Sequence, residues 1–322
     1  MLGGNILALL TALIWSVSFV CIRVIMRDLD FLTMFLYRFG LASLAGILLW
    51  AGWQARSGEW RPPGKGAIWW IVLLGVIGGP LYHLPLNWGA NEVSAGVLGM
   101  LIATVPVQTA ALELILRQRR ATLGYLAGFA LASAGAFMLV WSRNSGNEEG
   151  FNIANYWHPL AVLGAAFAGA IFSVGSKAAL KVVDSFTLSI WTLPIGVFCG
   201  AALVPFHALP PHAPLSLNAW YSLAYLAIGS TLISSVMWIR AIKLIGPGQV
   251  CLYLYITMLL STVWGMWWLD EKLPFLIWPA AVCIMGGLHL VNRERLAQAR
   301  SHGAMAAPAL ARTTALPPSL PD

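Results

Sequence analysis

Charge is what this sequence has least of. Of its 322 residues only 10% are charged, and just 12 are Asp or Glu. A soluble domain carries roughly a quarter charged residues, so a water-soluble globular enzyme is excluded. With 59% of residues hydrophobic, disorder over most of the chain is excluded too. Cysteine is scarce. Cys21, Cys199, Cys251 and Cys283 each lie inside an apolar run, which fits small buried side chains and neither a disulfide framework nor a zinc site. The sequence holds no H-E-x-x-H, no G-x-S-x-G elbow and no clustered aspartates. An intramembrane enzyme, the alternative from another class, would have to assemble its nucleophile and base from tertiary structure alone. No cofactor or metal site is read.

Apolar length is abundant, and mean hydropathy is +0.76. A helix crosses the hydrocarbon layer in about 20 residues. Ten such runs are predicted, roughly 5–25, 33–53, 67–87, 93–116, 122–142, 159–180, 187–207, 219–242, 248–269 and 274–292. No basic segment precedes the first run, which is long enough to span, so a retained helix is expected, not a cleaved signal. The stretch 293–322, rich in Ala and Pro, is expected to be a disordered tail.

Lys and Arg set the orientation. With the N-terminus inside, fourteen of the nineteen fall in inner segments and three, Arg27, Arg143 and Lys272, in outer loops. Both termini are therefore expected in the cytoplasm, and in a bacterial cell the chain would lie in the inner (plasma) membrane. The net charge of +7 is accounted for by this anchoring, with no nucleic-acid partner. Many of the 16 Trp sit at span ends, as an interfacial belt requires.

Ten spans divide into five plus five. Arg23, Arg27, Asp30 and Thr33 precede Lys177, Lys181, Asp184 and Thr187 by a constant 154 residues; Gly78 and Ala90 precede Gly229 and Ala241 by 151. An odd number of spans per half inverts the second half. The expected fold is thus an all-α polytopic membrane protein of ten transmembrane helices in two inverted five-helix repeats: residues 1–142, an outer linker 143–158, and residues 159–292. Inverted repeats point to a transporter with its substrate near the midplane.

The run Trp15-Ser16-Val17-Ser18-Phe19, Arg38 in the second span, Ala95 followed by Pro106, and Asp270-Glu271-Lys272-Leu273 resemble the ordered motifs of EamA-type drug/metabolite transporters over residues 5–292. The match departs from the family's pattern at Ser16, at Arg119 where a glutamate would fall, and at Met258 where a proline would fall. The resemblance implies a secondary transporter, commonly an exporter of small metabolites, amino acids or drugs. A nucleotide-sugar or phosphate-ester carrier of the same superfamily is the alternative.

Polar residues on one helical stripe inside a membrane face protein or water. On the ninth span Tyr253 and Thr257 share a stripe that Trp264 continues; on the first, Trp15 and Ser18 share a face. With Tyr82, His83 and Asn87 on the third span, Gln108 on the fourth and Ser234 on the eighth, these are the candidate substrate-binding residues. Helix–helix packing explains the same stripes and stays open as the alternative. His83 is also a candidate for proton coupling. Gly79, Pro80 and Pro106 are candidate kinks or gates. Arg38 suits either a carboxylate contact or a structural pairing with Asp28 or Asp30, and structure is favoured. Glu113 with Arg117 reads as an i,i+4 pair and Glu271 as a structural cap. The partners expected are the lipid bilayer, a small-molecule substrate and protons as the candidate coupling ion. The sequence leaves the oligomeric state open.

Overall fold

The computed structural model describes residues 2–58, 62–92, 101–118, 121–144, 157–203, 215–269 and 275–313. All regular structure among them is helical. The helices are α1 (Leu2–Ile25), α2 (Phe31–Ser57), α3 (Lys65–Val76, Ile77–Leu81 and Tyr82–Glu92 in one rod), α4 (Val105–Ile115) and α5 (Leu123–Asn144). The second half supplies α6 (Trp157–Ala179), α7 (Ser185–Leu203), α8 (Leu217–Ala224, Tyr225–Ile233 and Ser234–Ile245), α9 (Pro247–Cys251 and Tyr253–Leu269) and α10 (Ile277–Thr313). Among the described residues seven helices are long and apolar enough to span a membrane, and α4 and α5 add shorter apolar helices.

Near Pro106 the helical path breaks and resumes: Leu101 and Ile102 are helical, Ala103-Thr104 form a turn with Thr104 still right-handed, and α4 starts at Val105 with Pro106 in its first turn. The tail expected to be disordered from 293 is helical as far as Thr313, because Leu296, Ala297, Ala299 and Arg300 are strong helix formers. Residues 314–322 lie outside the described residues, as do Glu271 and most of the linker 143–158.

The repeat is visible in local structure. Asp30 accepts hydrogen bonds from Leu32 N (2.9 Å) and Thr33 N (3.0 Å) to cap α2. Asp184, 154 residues later, accepts from Phe186 N and Thr187 N (both 2.9 Å) to cap α7. Each is an N-cap in which a carboxylate takes amides the helix leaves unpaired. α3 and α8 each carry a π-helical segment, Ile77–Leu81 and Tyr225–Ile233, at repeat-related positions.

Packing follows the same two-fold. α5 lies on α10 and α2 on α7; α3 packs on α6 as α8 packs on α1; α4 packs on α6 as α9 packs on α1. Small residues permit the closest crossings: a Cβ on Gly79 would come within 2.7 Å of Gly196 Cα, joining α3 to α7. The bundle's terminal end, where α1 starts, is closely packed. Thr109, Glu113, Tyr125, Ile239, Ile242, Val250 and Cys251 are all buried there. Toward the loop end, where α1 meets α2, Ile22 and residues 82–87 of α3 are only half-buried.

Candidate functional site

A cavity of about 250 Å³ lies between the halves, near mid-height. Its walls obey the repeat. Trp15, Ser18, Arg38 and Phe39 line it, and so do Gly169, Phe172, Thr192 and Leu193, each exactly one repeat of 154 residues further on. Gly79 and Asn87 are matched by Ser230 and Trp238 at a spacing of 151, and Ile102 and Val105 by Leu254 and Thr257 at 152. Two inverted copies thus present the same positions to one central space. Their side chains have diverged, so the space is two-fold in shape and asymmetric in chemistry.

The π segment of α8 organises the polar side. A π turn takes carbonyls out of the regular i→i−4 ladder, and the Ser230 carbonyl accepts a hydrogen bond from Trp15 Nε1 at 2.8 Å. The Ser230 hydroxyl accepts from Ser18 Oγ (2.7 Å) and from Arg38 Nη2 (3.2 Å), while Arg38 Nε donates to Thr231 Oγ1 at 2.7 Å. Arg38, from the first half, is thereby held flat across two hydroxyls of the second. Its Cζ lies 5.6 Å from the centre of the Phe39 ring. Trp15 and Trp238 form an aromatic wall, with ring centroids 4.8 Å apart. His83 packs edge-on against Phe39 and Tyr82, each 4.7 Å away.

Of the predicted substrate-binding residues, Trp15, Ser18, Tyr82, His83, Asn87 and Thr257 meet at this cavity, as does Gly79. Pro80 sits in the adjoining π segment. Four others turn elsewhere. Gln108 Nε2 donates to Thr104 Oγ1 (2.9 Å). Ser234 is buried with its hydroxyl on Gly229 O (3.0 Å), and its neighbour Ser235 lines the cavity. Tyr253 is buried below the cavity, beside Asn292. Trp264 donates to Ser16 Oγ (2.9 Å) and stacks on Trp268. The candidate set drawn from the sequence left out the wall residues Phe172, Ser173, Thr192, Ser230, Thr231 and Trp238. The repeat spacing, applied to Ser18, Arg38, Gly79 and Asn87, points to four of them.

Three expected pairings are corrected. Arg38 pairs with neither Asp28 nor Asp30: Asp30 caps α2, and Asp28 accepts from Ser216 N (3.1 Å) and Oγ (2.6 Å). Those bonds, the hydroxyl's first, hold the Asp28 carboxyl below its ordinary value. Nor does Glu113 form a helical pair with Arg117. α4 ends at Ile115, and Arg117 stands beyond it in the left-handed region (φ 52°). Glu113 is instead buried across the two halves. It accepts from Tyr125 Oη and Gly248 N, both at 3.1 Å, and lies 3.5 Å from Lys177 Nζ. Nearby, Gln249 donates to Asn5 (3.2 Å) and to Asn292, adding a second polar link at the terminal end.

The model of the EamA-like transporter family matches residues 2–141 and again 156–293. The chain belongs to that family. Its ten-helix duplicated fold is the one described above. An uncharacterized transporter of Archaeoglobus fulgidus is 27% identical over 297 residues, covering 90% of this chain and 98% of the relative. A probable terminal-alkyne amino-acid exporter of Streptantibioticus cattleyicolor is 27% identical over 293 residues, covering 90% and 94%. A protein crystal structure superposes with a TM-score of 0.72 at 19% identity, over 91% of this chain and 98% of that one. This EamA-like chain is therefore a membrane-embedded transporter.

Proposed function

We propose that this EamA-like protein is a secondary transporter that exports a small amphipathic metabolite, amino acids included, by alternating access. The observation that carries the reading is the cavity between inverted halves, packed shut at the terminal end and lined at matching positions by both. Its volume of about 250 Å³ falls below the range of roughly 300–1,000 Å³ usual for drug-sized ligands, which suits a small metabolite. Its lining joins aromatic and aliphatic surface to hydroxyls and one guanidinium. A nucleotide-sugar or phosphate ester would ask for more room and more cations, and Lys177 is engaged with Glu113 outside the cavity. The name of the Streptantibioticus relative, a probable amino-acid exporter, points the same way.

On the orientation read from Lys and Arg, both termini are cytoplasmic and the cavity faces outward. Loading from the cytoplasm then requires the terminal end to open. Glu113 and Tyr125 belong to the first half, Lys177 and Gly248 to the second, so their contacts are among those that must part. Protons are the candidate coupling ion and His83 the candidate group, since it faces the cavity.

The test is flux in proteoliposomes holding a pH-sensitive dye, challenged with a panel of amino acids, with wild type beside His83→Ala. Substrate-dependent proton flux lost in the variant is the expected result. Substrate flux without proton movement, unchanged by the variant, would leave a facilitative carrier. Absence of any substrate flux would remove the exporter reading.

A further inference from the structure

Among the described residues that line the cavity, Arg38 is the one lysine or arginine and none is a carboxylate. Its repeat counterpart is Thr192, so the charge is present on one side only. Removing a guanidinium from water is costly, and a solely structural arginine recovers that cost from a carboxylate or several carbonyls. Among the described residues Arg38 has neither: its Nε donates to the Thr231 hydroxyl and its Nη2 to the Ser230 hydroxyl. Two neutral hydroxyls orient the planar fork without neutralising it. The Ser18 hydroxyl is 2.7 Å from that of Ser230, and the Trp15 and Trp238 rings stand beside the same turn. A fixed, uncompensated guanidinium next to hydroxyls and aromatic surface is complementary to a carboxylate attached to an apolar body.

We propose that Arg38 anchors the substrate's carboxylate, so that the carrier selects small amphipathic acids, amino acids among them, over the amides and amines of the same skeletons. Ser230 and Thr231 are positioning residues that aim the guanidinium. The proposal rests on the transporter reading and narrows it to a substrate class.

The experiment uses the full chain in proteoliposomes and matched sets of probes. L-phenylalanine and 3-phenylpropionate are compared with phenylalaninamide and phenethylamine, and L-leucine with leucinamide and isopentylamine. In the wild type the acids are expected to cross and the amides and amines to lag at least tenfold, about the worth of one charged hydrogen bond. Arg38→Gln is expected to lose acid flux at least tenfold. Arg38→Lys, which keeps the charge but not the fork, should lose less. Should Arg38→Gln fail to fold, Thr231→Val removes only the partner of Nε. It is expected to raise KM for the acids several-fold with little change in kcat, whereas a purely structural role would lower the melting temperature and leave KM alone. Amides or amines carried as well as acids, or acid flux unmoved in Arg38→Gln, would overturn the carboxylate anchor and leave the transporter intact. No flux of any probe in the wild type would overturn both readings.

Discussion

At the scale of single residues, Glu113 is the side chain on which most depends outside the cavity. A buried carboxylate is tolerable only while paired and hydrogen-bonded, and here two neutral donors and one cation supply that from three other helices. Glu113→Ala leaves Lys177 and Tyr125 without their acceptor; the expected loss is about 3–5 kcal/mol of stability, read as a fall in the melting temperature of the purified protein. Gly248→Ala should cost comparably, because its Cβ would collide with Glu113 Oε2 and stand 2.6 Å from Tyr125 Oη. Asp28 works at the surface. Its lowered carboxyl means that its bonds to Ser216 contribute above the unfolded pKa of about 3.9 and are lost as pH falls through the lower folded value. Asp28→Asn should therefore flatten the acid limb of the stability profile. At this scale the sequence misleads in an instructive way. Glu113 and Arg117 have helical spacing, but spacing acts only while the helix lasts, and α4 ends between them. Arg38 looked structural because acids lay two to three turns before it; those acids are consumed by the amides and hydroxyl of helix starts.

At the scale of elements, the π segments of α3 and α8 decide which faces reach the cavity. In α3 the distortion was legible: Gly78-Gly79-Pro80 sits mid-span, and Pro80 lacks the N–H a regular turn needs. In α8 nothing comparable is written, since Gly229-Ser230-Thr231 contains no proline; only its repeat relation to α3 marks the place. A π segment holds one residue more than a regular turn has room for. Inserting an alanine between Leu81 and Tyr82, beyond that segment, should rotate the rest of α3 by about 100°, turning Tyr82, His83 and Asn87 from the cavity. The expected outcome is a protein that inserts and purifies but carries no substrate. Transport at the wild-type rate by the insertion variant would show that the register of α3 does not matter. The ten-helix plan was readable throughout because apolar length is a strong signal. The start of α4 was not: Pro106 is equally consistent with a kink or with a first turn, and the neighbouring backbone decides.

At the scale of the whole molecule, the two halves meet in an interface that could be read from sequence only by using the repeat as a ruler. Polarity singled out Gln108, Ser234, Tyr253 and Trp264, whose hydrogen bonds and ring contacts run to partners away from the cavity, although Gln108 Oε1 is buried without one among the described residues. Position would have done better, because the same places in each copy face the centre whatever side chain they carry: Ser18 predicts Phe172, and Arg38 predicts Thr192. On the alternating-access proposal, that equivalence would let the halves exchange roles, one end opening as the other packs. Distances between spin labels test this most directly, in a chain whose four cysteines have been replaced. One pair, Leu116→Cys with Lys243→Cys, spans the halves at the terminal end; another, Met26→Cys with Trp220→Cys, spans them at the loop end. Double electron–electron resonance in lipid nanodiscs would follow both. Alternating access predicts two populations for each pair, shifted in opposite senses by a transported substrate. Single distributions at both ends, unmoved by a substrate the same protein is shown to carry, would contradict it.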